Sequence, residues 1–403
     1  MRRYSFFAIF LLCLAILLVD ILAFYWLQSI TQLIASPFFK SLINVLFWFF
    51  TVGLLVAILT LKIRLESISQ KRRYLLISSL YGLTVSSFVP KFIFVIVISS
   101  LHFTNYVFSE SESLVVIPLV GLFSGVFPFS VIIYGVFRSL YRFKVHHVEI
   151  EFDILPQKFK GLRIVQISDI HLGSFNGRYH VFDRAVVLIN RLEPDFIFFT
   201  GDLVNNSAWE LRGWESTFKQ LSAKTGKYSI LGNHDYGDYD QWESIEAKEA
   251  NFEAIKKFHN DIGFKLLLNE TEIVEREKEK IAIVGVENWG TPPFKQYGDL
   301  QMALRNTFDI PFKILLSHDP THWKEEVVKS TDVALTLSGH THGMQVGINL
   351  KNKKWSPIKY KYEHWAGTYK ENNQYLYVNR GLGWLGFPGR LGMRPEITCI
   401  NLV

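Results

Sequence analysis

Tyr228-Ser229-Ile230-Leu231-Gly232-Asn233-His234-Asp235-Tyr236 opens as a short buried strand, Tyr228 to Leu231, and then stops at a glycine. A glycine at a strand end lets the backbone reach positive φ or come close to a ligand. The turn after it presents an amide, an imidazole and a carboxylate together. Such a set can bind and act on an oxyanion; the alternative, read alone, is a polar turn after a strand. Working outward from it, short apolar runs alternate with charged segments of helical period. Strands are expected over Arg163 to Ser168, Asp195 to Thr200, Ile281 to Val286, Lys313 to Ser317 and Val333 to Leu337. Helices are expected over His180 to Leu192, Trp214 to Leu221, Trp242 to Asp261 and Thr321 to Lys329. The charge run Glu275 to Lys280 reads as a solvated hairpin turn. Strands alternating with helices predict a layered α/β domain whose sheets are covered by helices.

The polar groups fall at strand ends. Asp169-Ile170-His171 follows the Arg163 strand, Gly201-Asp202 follows the Asp195 strand, and Asn233, His234 and Asp235 follow the Tyr228 strand. His318 follows the Lys313 strand, and Gly339-His340-Thr341-His342 follows the Val333 strand. Ligands of α/β folds bind outside the carboxyl ends of strands, so five ends would deliver these groups to one crevice. In Asp-x-His, residues i and i+2 of an extended chain point to the same side. Asp169 and His171 could then hold one metal, and His340 and His342 share that spacing. Mixed His, Asp and Asn ligands suit Mn²⁺, Fe²⁺ or Zn²⁺ better than Ca²⁺ or Mg²⁺. The groups are too many for one ion and right for two that share a carboxylate, an arrangement that clamps a phosphate and activates water.

The ordered set Asp169-x-His171, Gly201-Asp202, Gly232-Asn233-His234-Asp235, His318 and Gly339-His340-Thr341-His342 resembles the calcineurin-like metallophosphoesterase superfamily. The resemblance runs from about residue 160 to the C-terminus. With the apolar N-terminus, and less specifically the tail Val378-Asn379-Arg380-Gly381-Leu382-Gly383, it is similar to the subgroup of transmembrane proteins carrying such a domain. The resemblance implies a two-sheet αββα sandwich holding two divalent metal ions, Mn²⁺ first, with Fe²⁺ or Zn²⁺ as alternatives. It implies that Asp169, His171 and His342 bind one ion, that Asn233, His318 and His340 bind the other, and that Asp202 bridges them. His234 would then stabilise or protonate the leaving oxygen, and Asp235 would orient His234. Arg380 is a candidate phosphate contact, since a guanidinium fork matches phosphate oxygens.

Residues 1–140 differ in kind. Of the whole chain's 403 residues, 49% are hydrophobic and 15% aromatic, and the mean hydropathy is +0.16. A membrane span needs ~20 mostly apolar residues. Phe6 to Leu27, Leu42 to Leu61, Tyr74 to Leu101 and Leu114 to Phe137 qualify, and Pro90-Lys91 is the weak point of the third. Asp20 and Lys91 lie within these runs, as charges near an interface or as a pair inside the bundle. Basic loops at Arg2 and Arg3, at Lys62, Arg64, Lys71, Arg72 and Arg73, and at Arg138, Arg142 and Lys144 contrast with Glu110 and Glu112 in the third loop. The positive-inside rule then puts both ends in the cytoplasm. The expected organisation is a membrane domain over 1–140, a linker or first strand over 141–160 and a metallophosphoesterase domain over 161–403.

The two cysteines, Cys13 and Cys399, exclude a disulfide framework and a Cys-based zinc site. The Lys351 to Lys370 segment interleaves Lys353, Lys354, Lys359 and Lys361 with Trp355, Tyr360, Tyr362, Trp365 and Tyr369. Such a pattern can bind single-stranded nucleic acid, lie at a membrane interface, or form an ordinary exposed hairpin. In a tethered chain the interface is favoured, and no nucleic acid partner is expected. Trp384-Leu385-Gly386-Phe387-Pro388 could border the site. The expected function is a phosphohydrolase of the cell (inner) membrane, its catalytic domain cytoplasmic. It would cleave a phosphoester or pyrophosphate of a lipid-linked substrate, such as a UDP-diacylglucosamine-like pyrophosphate or a phospholipid. The alternatives are a phosphodiesterase or phosphatase for soluble nucleotides or phosphoproteins, and an inactive membrane sensor or scaffold. The sequence leaves the oligomeric state open.

Overall fold

The computed structural model describes residues 5–108, 113, 115–175, 179–350 and 353–403. Arg2, Arg3, Glu110, Glu112, Leu114 and Lys351 lie outside the described residues. The chain forms two compact units. One comprises Arg2–Phe137 with Gly386–Gly389, and the other comprises Arg138–Leu385 with Arg390–Val403.

The first unit holds four helices, α1 (Phe6–Thr31), α2 (Pro37–Arg64), α3 (Gln70–Phe108) and α4 (Val116–Phe137). All four are long and apolar enough to cross a membrane. Their starts follow local chemistry. Ser5 caps α1 by accepting the Phe7 N–H at 3.2 Å, and Pro37 opens α2 where its missing N–H costs nothing. The third helix runs unbroken through Pro90, as apolar bundles tolerate. Small residues set its contact with α4: a Cβ on Gly121 would press on Ile98, and one on Gly125 on Phe94. Asp20 and Lys91 pair with each other. Asp20 Oδ2 accepts from Lys91 Nζ at 2.9 Å and from Thr51 Oγ1 at 2.5 Å, which joins α1, α2 and α3 at one point.

The second unit is a sandwich of two six-stranded sheets. The first has the order β1 (Lys144–Ile150), β14 (Glu396–Leu402), β2 (Arg163–Ile167), β3 (Phe196–Thr200), β4 (Gly226–Ile230), β5 (Lys265–Leu266). The second has the order β12 (Gly367–Glu371), β13 (Gln374–Val378), β9 (Leu335–Ser338), β8 (Phe312–Leu316), β7 (Glu279–Gly285), β6 (Glu270–Arg276). A small hairpin, β10 (Ile348–Leu350) with β11 (Lys353–Trp355), stands apart from both. Within the sheets β2, β3 and β4 run parallel, as do β7, β8 and β9. Strand alternation builds three apolar layers. Ile164, Phe196, Phe198 and Ile230 of one sheet meet Ile283, Ile314, Leu316 and Leu337 of the other. The opposite faces of β2 and β3, through Val165, Ile167, Ile197 and Phe199, pack under α5 (Tyr179–Asn190), α6 (Glu215–Phe218) and α7 (Ile245–Asp261). Ala282, Val284 and Leu315 pack under α8 (Leu300–Leu304) and Trp323. The result is the αββα architecture.

Differences from the expected elements have local causes. The Trp214 to Leu221 helix shrinks to one turn, because Gly213 ahead of it takes φ +82° and Leu221 turns into the core. The Thr321 to Lys329 helix forms as expected, helical from residue 321 to 330, with its middle turn, Trp323–Val327, widened to i→i+5 bonding. His146 and His147 lie in β1, paired along β14.

Candidate metal centre

The ends of β2, β3, β4, β8 and β9 meet at one buried crevice. Asp169, His171 and His342 offer ligand atoms within 4.8 Å of one another, and so do Asp202, His318 and His340. One oxygen lies between the two groups: Asp202 Oδ2 is 3.5 Å from His171 Nε2 and 3.2 Å from His318 Nε2. Within the first group His171 Nε2 is 3.1 Å from His342 Nε2, which in turn is 3.3 Å from Asp169 Oδ1. At the second, Asn233 Oδ1 sits 2.9 Å from His340 Nδ1.

The ligand turns are not extended, which corrects the spacing argument for Asp-x-His. Asp169, His171, Asp202, His340 and His342 take φ of 49°, 51°, 59°, 71° and 51°. These are left-handed values, uncommon for residues with a Cβ, and they cost energy that the surroundings must offset. Backbone bonds between strand ends do so: His340 N–H donates to Asp169 Oδ1 at 3.0 Å, and Asp169 N–H to the Gly201 carbonyl at 2.9 Å. His340 and His342 consequently diverge into different groups. Gly232 is required for close approach rather than for positive φ, because a Cβ there would run into the Asp202 carboxylate.

Charge in the crevice is poised for cations. Burial drives His171 down to about 3 and His340 to about 4, and His342 well below its ordinary value. These imidazoles are neutral, the form that binds a metal. Burial raises Asp169 to about 7. Burial would also lower His318 and raise Asp202, but their mutual attraction outweighs it. His318 rises to about 10 and Asp202 is held well below the carboxylate range. His318 Nδ1 is fixed by the Thr200 carbonyl at 2.7 Å, while its Nε2 is buried and faces Asp202 Oδ2 at 3.2 Å. A buried imidazole nitrogen beside a shared carboxylate, within two clusters of His, Asp and Asn donors, fits two borderline divalent ions.

Two expected roles are corrected. The Asp235 carboxylate is not bonded to the His234 ring among the described residues. Its carboxylate accepts the N–H groups of Gly232, Asp202, Leu203 and Val204 at 2.9–3.1 Å, which ties the β3 and β4 turns together. His234 is held instead by the Asn205 carbonyl, 2.7 Å from Nδ1, and its N–H donates to Asp202 Oδ1 at 2.9 Å. Arg380 is buried and paired with Glu396, so its guanidinium is turned to a carboxylate rather than to a phosphate. Sequence reasoning did not place three neighbours of the ligands at the site, although Tyr362 stood out in the basic-aromatic segment. Arg390 is fully buried, with Nη2 3.3 Å from His342 Nδ1 and its other bonds on the carbonyls of Gly383, Arg380 and Met393. The Tyr362 hydroxyl lies 2.8 Å from His340 Nε2, and the Tyr239 hydroxyl accepts from Asn233 Nδ2 at 2.9 Å. The basic-aromatic segment splits: Tyr362 and Trp365 are core, whereas Trp355 and Tyr360 are exposed. Trp384 is also core, its ring tilted against Phe175 at 4.6 Å.

This sandwich, with two ligand groups about a shared carboxylate, defines a metal-dependent phosphoesterase. The chain belongs to the calcineurin-like phosphoesterase family, which matches residues 162–344, and residues 2–140 match a four-helix transmembrane domain described for probable calcineurin-like phosphoesterases. A transmembrane protein with metallophosphoesterase domain from Danio rerio is 32% identical over 281 residues, 67% of this chain and 60% of that protein. The uncharacterized metallophosphoesterase YkuE of Bacillus subtilis is 31% identical over 280 residues, 67% of this chain and 89% of that one. The chain thus spans less than two thirds of the vertebrate relative's length. A crystal structure of a metallophosphoesterase from Sphaerobacter thermophilus is similar at 17% identity and TM-score 0.26, over 56% of this chain and 78% of that one.

Proposed function

We propose that this membrane protein hydrolyses a phosphoester or pyrophosphate carried by a lipid, with Mn²⁺ as the preferred ion and the catalytic unit on the cytoplasmic side. The observation that carries the reading is the complete pair of ligand groups on a chain that also holds four apolar helices. Tethering raises the effective concentration of substrates held in the same bilayer. The outward face of the small hairpin supports a lipid partner. Ile348 and Trp355 are cross-strand partners, both exposed, with Lys353 on the same face. Between Met344 and Tyr362 the chain has five lysines and no acidic residue. Aromatic and lysine side chains of this kind suit anionic headgroups.

In this reading Asp169, His171 and His342 would hold one ion, Asn233, His318 and His340 the other, with Asp202 shared between them. Bound there, two divalent ions supply Lewis-acid charge and an activated water. The chain's own residues do the rest. The Asn233 amide is kept in place by Tyr239. His234, fixed at Nδ1 by Asn205, delivers a proton from its other nitrogen to the leaving oxygen. Purified protein in nanodiscs with Mn²⁺ is screened against lipid pyrophosphates, phospholipids, cyclic nucleotides and a generic phosphodiester, beside Asp202→Asn. Turnover of lipid substrates that Asp202→Asn abolishes is expected. If only water-soluble substrates react, the lipid assignment fails. Activity indifferent to Asp202→Asn points instead to an inactive sensor.

A further inference from the structure

We propose that Glu210 is a positioning residue for His234, acting through the peptide that joins Asn205 to Asn206; this rests on His234 being the proton donor proposed above. Glu210 is buried in the short turn Ala208–Leu211, after the β3 ligand turn and outside it. Its carboxylate takes four backbone N–H groups: Gly173 at 3.0 Å, Asn205 at 2.6 Å, Asn206 at 3.0 Å and Ser207 at 3.0 Å. The peptide between Asn205 and Asn206 is therefore held at both ends. Its N–H donates to Glu210 Oε1, and its carbonyl lies 2.7 Å from His234 Nδ1. A carbonyl only accepts, so His234 carries a proton on Nδ1 and Nε2 is left to exchange one with substrate. Donation from the same peptide to a carboxylate strengthens its carbonyl as an acceptor. Glu210 thus fixes both the ring's direction and its tautomer without touching it. Gly173 in the loop after His171 is bound to the same carboxylate, so the two loops that flank His234 share one anchor. A neighbouring residue separates this role from mere loop support. Asn251 braces the next stretch, accepting from Ala208 N–H at 2.6 Å and donating to the Asn206 carbonyl at 3.1 Å, and makes no bond to the peptide that meets His234.

The test uses full-length protein loaded with Mn²⁺ and two phosphodiesters that differ only in leaving group, phenyl and p-nitrophenyl. A proton donor matters for the poorer leaving group, and its loss costs on the order of 10²-fold or more there. Glu210→Gln should retain its metal content, lose roughly 10- to 100-fold with phenyl and under about 3-fold with p-nitrophenyl, and add nothing to His234→Ala. Asn251→Ala should lower Tm and leave the ratio of the two rates unchanged. Equal losses on both substrates in Glu210→Gln, or losses that multiply those of His234→Ala, overturn the proposal. If His234→Ala itself fails to discriminate the leaving groups, the proton-donor reading falls and this proposal with it. If His234→Ala discriminates and Glu210→Gln does not, only the proposal falls. Should Glu210→Gln not fold, Glu210→Asp is read in the same assay, where an unshifted ratio overturns it.

Discussion

At the scale of single residues, the crevice balances protons against metal ions. His318 holds its proton up to about pH 10 because Asp202 faces it, and a metal ion must displace that proton to bind. Protons therefore compete with the ion, and affinity rises with pH below about 10. Asp169, raised to about 7, adds to the effect below that pH. Metal dissociation constants from chelator competition at pH 6.5 and 8 should show tighter binding at 8, by up to about tenfold per unit for each proton released. No change between the two would mean that His318 is unprotonated before the metal arrives. The residue types at this site were legible in the sequence, since each ends an apolar run. Their partners were not. That Asp235 serves four N–H groups and that a carbonyl holds His234 depends on turns whose backbone the sequence does not display.

At the scale of elements, the covering helix α7 carries an acid-sensitive contact. His259 is fully buried, lies 5.7 Å from Phe199 ring to ring, and has no hydrogen-bond partner on either nitrogen among the described residues. Burial pushes its pKa down to about 3, whereas an unfolded histidine titrates near ~6.5. Between those values the unfolded chain binds the extra proton. The contribution to stability is whole above about pH 6.5 and is lost as pH falls, at about 1.4 kcal/mol per unit. His259→Phe should remove that slope, so denaturation midpoints of mutant and native protein should diverge between pH 6.5 and 4.5. Parallel curves would show that His259 is not the group responsible. The helix itself was legible from its stripe of Phe252, Ile255 and Phe258. Nothing in the sequence marks His259, because periodicity cannot tell an imidazole that faces Phe199 from one that faces water.

At the scale of the whole molecule, a charge pair ties together three helices of the membrane unit. Asp20 and Lys91 are 71 positions apart and meet within 2.9 Å, with Thr51 on the same carboxylate oxygen. Removing one partner strands the other in an apolar bundle, whereas removing both leaves no stranded charge. Asp20→Asn should lose about 3–5 kcal/mol in detergent unfolding, and Asp20→Asn with Lys91→Met should recover most of it. Equal losses in the single and double variants would show that the pair is not what couples α1 to α3. The proposed orientation is checked by protease on sealed inverted vesicles, where the catalytic unit should be digested. Protection of that unit would place it on the other side.

The sequence by itself determined the class of each half. Four runs of apolar residues can satisfy their backbone in a bilayer only as helices. Five polar strand ends, each behind an apolar run of strand length, already imply one crevice in an α/β layer. Only the tertiary structure decided how these pieces work together. It brought Asp202 between two imidazole groups from other strands, gave Asp20 to Lys91, turned Arg380 toward Glu396, and set Glu210 behind the peptide that holds His234. The physical reason is the same each time. A strand's period fixes which face a side chain takes, but a turn's φ and ψ and the partner across the sheet fix where its polar atoms end, and those belong to contacts far apart in the chain.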